Sequence, residues 1–216
     1  MEQKKDNQNE IKLNLGCGGR PLDGYINVDM DTVDELRRRY PGSSNFPPGL
    51  KVYQYDIFNL PYKDGTVDEV RADSFIEHLS FIEEPKLFNE AKRVLKRGGV
   101  LRFQVPDFEA VVKAWLEAKD DWKEFYRTDD EAIAKNHWFG NYSYTVGNRW
   151  GYLTAGLYGT QNSPGQFHRN CYTEGKIRAM LKYLGFTDIE IERADDVRLP
   201  KGVLPGVHLL VRCRKI

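Results

Sequence analysis

Leu13-Asn14-Leu15-Gly16-Cys17-Gly18-Gly19-Arg20, with Tyr25-Ile26-Asn27-Val28-Asp29 a few residues on, is the passage from which the architecture can be read. A first apolar run ends in two glycines spaced G-x-G, and a second ends in a carboxylate. Glycine lets a backbone turn sharply and approach a ligand without Cβ interference. A carboxylate at the end of the next strand is placed to accept hydrogen bonds from a ribose diol. The pattern therefore describes a nucleoside pocket at the carboxyl edge of a parallel sheet.

The dinucleotide fingerprint requires G-x-G-x-x-G, a full helix, and an acidic residue about 20 residues on. Here Asp29 follows Gly18 much sooner, and Arg20 stands near where a third glycine is common. A parallel crossover usually needs about a dozen residues or more, so the first connection is expected to be abbreviated. That leaves no helix to cradle a pyrophosphate. The reading favours a cofactor with a diol and no pyrophosphate, and S-adenosylmethionine (SAM) meets that description. An NAD(P)-binding Rossmann oxidoreductase with a shortened start is the rival. An inactive binding or scaffold protein is a third reading.

Further motifs follow in order. Tyr55-Asp56-Ile57 ends a short apolar stretch, Thr66-Val67-Asp68-Glu69-Val70 precedes Ser74-Phe75-Ile76-Glu77-His78-Leu79, and Arg93-Val94-Leu95-Lys96-Arg97-Gly98-Gly99-Val100-Leu101 comes next. With the glycine passage and Asp29, this set resembles the class I SAM-dependent methyltransferases of polysaccharide and secondary-metabolite clusters. The resemblance covers residues 11–107 strongly and 170–213 more loosely. It implies an α/β Rossmann-like fold: a mostly parallel seven-stranded sheet with an antiparallel last strand and an aromatic-rich insertion after strand five. It also implies a cofactor site of Asn14, Gly16, Cys17, Gly18, Asp29, Met30, Asp56, Ile57, Asp73 and Ser74. In it Asp29 takes the ribose and Asp56 the adenine amino group, while Met30 and Ile57 pack on the ring. Asn14 stands where many members carry Asp or Glu near the methionine amino group.

The 216 residues carry 32 basic and 32 acidic side chains, so a large nucleic-acid footprint is not expected. Arg37-Arg38-Arg39, Lys92-Arg93 and Lys96-Arg97 read as solvated helix faces. The three cysteines, Cys17, Cys171 and Cys213, form neither a disulfide framework nor a zinc spacing. Along the chain no His, Asp or Glu cluster has metal-ligand spacing, so metal-independent chemistry is expected. The polar stretch Met1–Glu10 lacks an apolar core for a signal peptide. No apolar run approaches the roughly 18 residues that span a membrane. A soluble cytoplasmic enzyme with a small-molecule acceptor is the expectation.

Residues 1–9 read as a flexible tail and 10–216 as a single domain. Strands are expected near 11–15, 25–28, 51–54, 67–71, 99–104, 187–193 and 207–212. Helices are expected at 31–40 with Asp31 as cap, at 84–97 with Gly98 as its end, at 108–126, and from Thr173 to Gly185. All four tryptophans fall between strand five and the last helix. The Gly- and Tyr-rich part, about 136–170, reads as an inserted cap over the sheet edge, or as a small aromatic subcore.

Three residues are candidates for the acceptor side. His168 precedes the returning helix and either serves the site or is a hydrogen-bonded loop residue. His78 follows strand four and either acts as a base or anchors the next helix. Asp107 follows strand five and either binds the acceptor or caps a helix. Arg169 holds an acidic acceptor or pairs locally. His137 reads as structural. The aromatic cap tilts the acceptor toward a sugar or sugar-nucleotide hydroxyl.

Overall fold

The computed structural model describes residues 10–117, 149–161, 165–195 and 206–216. Its sheet comprises β1 (Lys12–Leu15), β2 (Ile26–Val28), β3 (Val52–Tyr53), β4 (Val67–Asp73), β5 (Leu95–Pro106), β6 (Phe186–Ala194) and β7 (His208–Lys215). Their order is β3-β2-β1-β4-β5-β7-β6. The pairings from β3 through β5 are parallel, while β7 runs antiparallel to both β5 and β6. The expected α/β architecture, with its antiparallel last strand, is the one observed. Among the described residues the helices are α1 (Val33–Arg39), α2 (Glu84–Val94), α3 (Phe108–Leu116), α4 (Arg149–Tyr158) and α5 (Glu174–Tyr183), with a 3-10 turn at Ile76–His78.

A parallel sheet is covered on both faces, and β1 is buried on both: Leu13 and Leu15 have no exposed surface, and Asn14 between them is 4% exposed. Helix α2 lays Leu87, Phe88, Ala91 and Val94 onto the sheet, with the Phe88 ring edge-on to Phe103 at 5.6 Å. Helix α5 contributes Ile177 and Leu181, and Thr173 caps it by accepting from the Lys176 amide, as expected. Because strands β1 to β5 run in one direction, their carboxyl ends deliver Gly16, Asp29, Asp73 and Asp107 to one edge.

Three boundaries differ from expectation. Helix α1 is capped by Thr32 rather than Asp31. The Thr32 hydroxyl accepts from the Glu35 amide, and the Glu35 carboxylate returns to the Thr32 backbone, a reciprocal capping box. Asp31 instead pairs with Arg39 at 2.5 Å. Helix α2 stops at Val94 rather than Arg97. The carbonyls of Arg93 and Val94 accept from the amides of Gly65 and Thr66, so the incoming strand satisfies the helix end and Leu95 already pairs with Val67. Helix α4 lies where no regular element was expected. Gly156 and its small neighbours give a weak helix signal, yet a Cβ there would sit 3.5 Å from Val111, so the small residue suits close packing on α3.

The tail 1–9, residues 136–148 and 162–164 of the expected cap, His137, Trp122, Trp138, and the end of the expected helix beyond residue 117 lie outside the described residues. Among the described residues, no helix is long and apolar enough to cross a membrane.

Each basic cluster has a member in an ion pair: Arg37 with Asp34, Arg39 with Asp31, Arg93 with Glu90 and Asp64, and Lys96 with Asp68. Arg93 donates to both oxygens of Glu90, to Asp64, and to the carbonyls of Leu60 and Tyr62. Glu90 also accepts from the Leu60 amide at 2.6 Å. This fork ties the loop before β4 to α2. Arg93, then the Leu60 amide, hold the Glu90 carboxyl below its ordinary range. A carboxylate whose folded pKa is depressed gives stability that is complete above its unfolded pKa, about 4.3 for Glu. That stability disappears as pH falls through the folded value. Arg93→Gln is expected to cost roughly 2 kcal/mol or more, the scale of charge-assisted bonds lost at a buried acceptor. Urea unfolding at pH 7 and pH 3 should show a smaller loss on acidification in the variant than in the parent.

Candidate functional site

The glycine turn is fixed by its own backbone and by three neighbours. Gly16 and Gly18 have φ of +62° and +47°, a region L-residues rarely enter. The Cys17 amide donates to the Val28 carbonyl and the Arg20 amide to the Cys17 carbonyl, at 3.0 and 2.8 Å. A Cβ on Gly16 would collide with the Phe75 ring, and one on Gly19 would come within 3.0 Å of Tyr40. Asn45 donates to the Gly19 carbonyl at 2.8 Å, drawing the loop after α1 over the turn.

Asp29 is bonded into that turn. One carboxylate oxygen accepts from the Gly18 amide at 2.8 Å and the other from the Asp31 amide at 3.0 Å. A carboxylate offers about four acceptor positions, so capacity remains on both oxygens for a diol. The span 16–25 holds no helix, as the short connection requires. Burial, then the Asp29 charge, pushes the Cys17 thiol up to about 12, so it stays protonated and unreactive.

Asn14 has a structural task that the sequence did not reveal. Its side-chain amide is buried and donates to the Arg20 carbonyl and to Asn27 Oδ1, at 3.1 and 2.9 Å. Asn27 in turn exchanges bonds with the backbone of Leu22. Two buried amides thus lock the turn to the start of β2. Asp56 is exposed and accepts from the Phe58 amide at 2.9 Å, which sets the turn after β3. Ile57 is half-buried, and Met30 is 77% exposed. A Cβ on Gly165 would lie 3.7 Å from the Met30 sulfur, so the loop carrying Gly165 reaches the Met30 side chain. Asp73 pairs with Arg71 at 2.6 Å. Ser74, beside it, adopts φ +50°, an uncommon backbone state that concentrates at functional edges.

The acceptor candidates do not share one fate. His78 and His168 come together, with ring centroids 5.0 Å apart. His78 Nδ1 lies 3.1 Å from the Phe167 carbonyl and His168 Nδ1 2.9 Å from the Gly156 carbonyl. A carbonyl only accepts, so each Nδ1 carries the proton. Burial holds His78 below the ordinary imidazole range, against the opposing pull of the Phe167 and Ser74 carbonyls. The segment bearing His168 is stitched down by main-chain bonds. The His168 amide donates to the Tyr158 carbonyl, and the amides of Arg169 and Asn170 both donate to the Glu77 carbonyl. Gly159, at φ +80°, bridges to Phe167, where a Cβ would collide with the Gln166 carbonyl.

Asp107 stands apart. It is fully buried, one oxygen caps α3 through the amides of Glu109 and Ala110, and the other accepts from Arg193 at 3.0 Å. Both oxygens hold structure, which corrects the acceptor-binding expectation for this residue. Arg169 pairs locally with Glu83 at 2.9 Å. Glu77, by contrast, was noted only as a neighbour of His78. It is 2% exposed, and its ligand-type oxygen and one nitrogen each from His78 and His168 lie within 4.8 Å of one another. Folding therefore brings together a potential metal-ligand cluster that the linear spacing hides.

The fold is the one shared by SAM-dependent methyltransferases of known structure. Residues 13–103 match the family model described as a methyltransferase domain. A structure of a SAM-dependent methyltransferase from Thermotoga maritima, titled a possible histamine N-methyltransferase, superposes with a TM-score of 0.55. It is 16% identical, over 95% of this chain and 82% of that one. A SAM-dependent methyltransferase from Methanosarcina mazei gives a TM-score of 0.53 at 16% identity, over 97% and 94% of the two chains. In sequence, an uncharacterized protein of Methanocaldococcus jannaschii is 25% identical over 96% of this chain and 81% of its own length. An uncharacterized transposon protein of Streptomyces fradiae is 31% identical over 47% of this chain, but the match spans only 32% of that protein.

Asn14→Asp provides a sharp test of the amide lock. It sets a carboxylate oxygen where Nδ2 now donates to two acceptors. A destabilisation of about 1–3 kcal/mol is expected, the cost of buried polar groups left without a donor. Urea denaturation of parent and variant measures it.

Proposed function

We propose that this chain binds SAM and transfers its methyl group to a hydroxyl of a small-molecule acceptor. The observation that carries the reading is the 2.8 Å bond from the Gly18 amide to Asp29. It joins the bare glycine turn to a carboxylate that keeps acceptor capacity, across a connection with no pyrophosphate helix. SAM supplies an activated sulfonium methyl, so the protein's share is chiefly placement. Asp29 holds the ribose hydroxyls. Asp56 takes the adenine amino group, and Met30 and Ile57 flank the ring. The turn from Gly16 to Gly18 lets the backbone approach the methionine portion, with Asp73 and Ser74 at the neighbouring strand end.

The acceptor belongs beside the imidazole pair. His168, with Nδ1 against the Gly156 carbonyl, offers Nε2 to take or orient the acceptor's proton, and His78 lies against it. Exclusion of water falls to the segment around 136–170, of which the described part is already fastened to Glu77. A sugar or sugar-nucleotide hydroxyl is the acceptor class that the aromatic content of this segment favours.

Isothermal titration should show stoichiometric binding of S-adenosylhomocysteine and none of NAD(H); the reverse result would overturn the reading. Asp29→Ala is expected to weaken S-adenosylhomocysteine by on the order of a hundredfold. The basis is two charge-assisted bonds at roughly 1.5–3 kcal/mol each, at about 1.4 kcal/mol per tenfold. An unchanged dissociation constant would show that Asp29 does not hold the ribose.

His168→Asn should leave S-adenosylhomocysteine affinity nearly intact. With a methylated acceptor in hand, turnover should fall roughly 10²–10⁴-fold, the range for a lost general base. Turnover equal to the parent would remove His168 from the chemistry.

A further inference from the structure

We propose that Glu77, His78 and His168 form a site for one divalent transition-metal cation, and that this cation binds an oxygen of the acceptor. The second half rests on the reading of this edge as the acceptor side; the first does not. The three residues come from two distant segments, the 3-10 turn after β4 and the strip before α5, yet their ligand-type atoms lie within 4.8 Å of one another. Atoms bound about 2.0–2.2 Å from a cation sit roughly 3–4 Å apart, so small side-chain rotations close the cluster.

The surroundings suit metal ligation. Each imidazole has its Nδ1 against a backbone carbonyl, Phe167 for His78 and Gly156 for His168. Metal-bound histidines nearly always donate their other ring N–H in this manner, which fixes the tautomer and leaves Nε2 as the ligand. Glu77 brings a carboxylate that is 2% exposed to the same place. The supports are backbone-held: the Glu77 carbonyl accepts from the Arg169 and Asn170 amides at 2.8 and 3.2 Å, which keeps the His168 strip beside the 3-10 turn.

Two imidazoles and one carboxylate are a nitrogen–oxygen set that suits Zn²⁺, Co²⁺, Fe²⁺ or Mn²⁺. Three protein ligands leave coordination positions open, the hallmark of a working rather than a structural site. An acceptor hydroxyl there would be acidified by the cation, which replaces His168 in that task because Nε2 is then a ligand and no longer a base. Its proton passes to solvent, the oxygen's electron pair forms the new bond to the methyl carbon, and the carbon–sulfur pair departs to sulfur. No oxidant or reductant is required.

The test uses the full chain, stripped with a chelator and titrated with Zn²⁺ and with Co²⁺. One equivalent of each should bind, and Co²⁺ should acquire visible absorption from the nitrogen ligands. Glu77→Gln, His78→Ala and His168→Ala should each weaken Zn²⁺ by at least about 10–100-fold, the loss seen even for outer-sphere partners. Glu77→Gln preserves side-chain shape, and unchanged circular dichroism with unchanged S-adenosylhomocysteine affinity separates loss of the metal from loss of the fold. Absence of Zn²⁺ and Co²⁺ binding in the parent, or uptake that survives all three substitutions, overturns the proposal. Cation uptake without S-adenosylhomocysteine binding would leave the metal site standing and remove the methyl-transfer reading.

Discussion

The bond between the Gly18 amide and the Asp29 carboxylate is the point on which the site depends. It exists only because β1 and β2 run parallel in register, with Leu15 opposite Val28, so that the residues just past each strand meet. It also requires Gly18 to hold φ +47°, a conformation costly for a side-chain-bearing residue. The buried Asn14–Asn27 pair keeps the turn in that state from behind. Sheet register, glycine geometry and a buried amide pair therefore act on a single carboxylate. A site built on strand ends in this way is more rigid than one carried by loops alone.

The parallel core was readable because its signals are local and continuous. Apolar runs bounded by glycine or carboxylate announce strands, and the stripe Leu87, Phe88, Ala91, Val94 announces α2. What misled was satisfaction supplied from afar. Nothing near Val94 in sequence says that Gly65 and Thr66 will cap its helix, so the apolar stripe alone carries the expected helix on to Arg97. Thr32 outcompeted Asp31 because Glu35 completes a reciprocal box, a pattern that was present in the sequence and could have been found. Asn14 looked like a departure from a cofactor contact, while its partner Asn27 carried no recognisable signal.

The acceptor side was harder for a related reason. His78 and His168 were each plausible alone, but ninety residues separate them, and only the folded chain brings their rings to 5.0 Å. Glu77 stands in sequence as half of a Glu-His pair, without a hint that its carboxylate lies within 4.8 Å of a nitrogen of each imidazole. Asp107 shows the opposite case. Its place at a strand end suggested chemistry, yet the cap on α3 and the pairing with Arg193 use both oxygens. Position at the carboxyl edge nominates a residue, and only its remaining hydrogen-bonding capacity decides what it can do.

The strip around His168 is moored to the core through main-chain atoms: its own amide to Tyr158, and those of Arg169 and Asn170 to Glu77. Peptide groups are the same whatever side chain they carry, apart from proline. An ancestral gene could therefore vary the side chains of this strip, and lengthen or replace the chain leading into it, without unseating the histidine. Such an arrangement separates the anchoring of the strip from its chemistry: the fastening is indifferent to side chains, and the outward residues are left free to change.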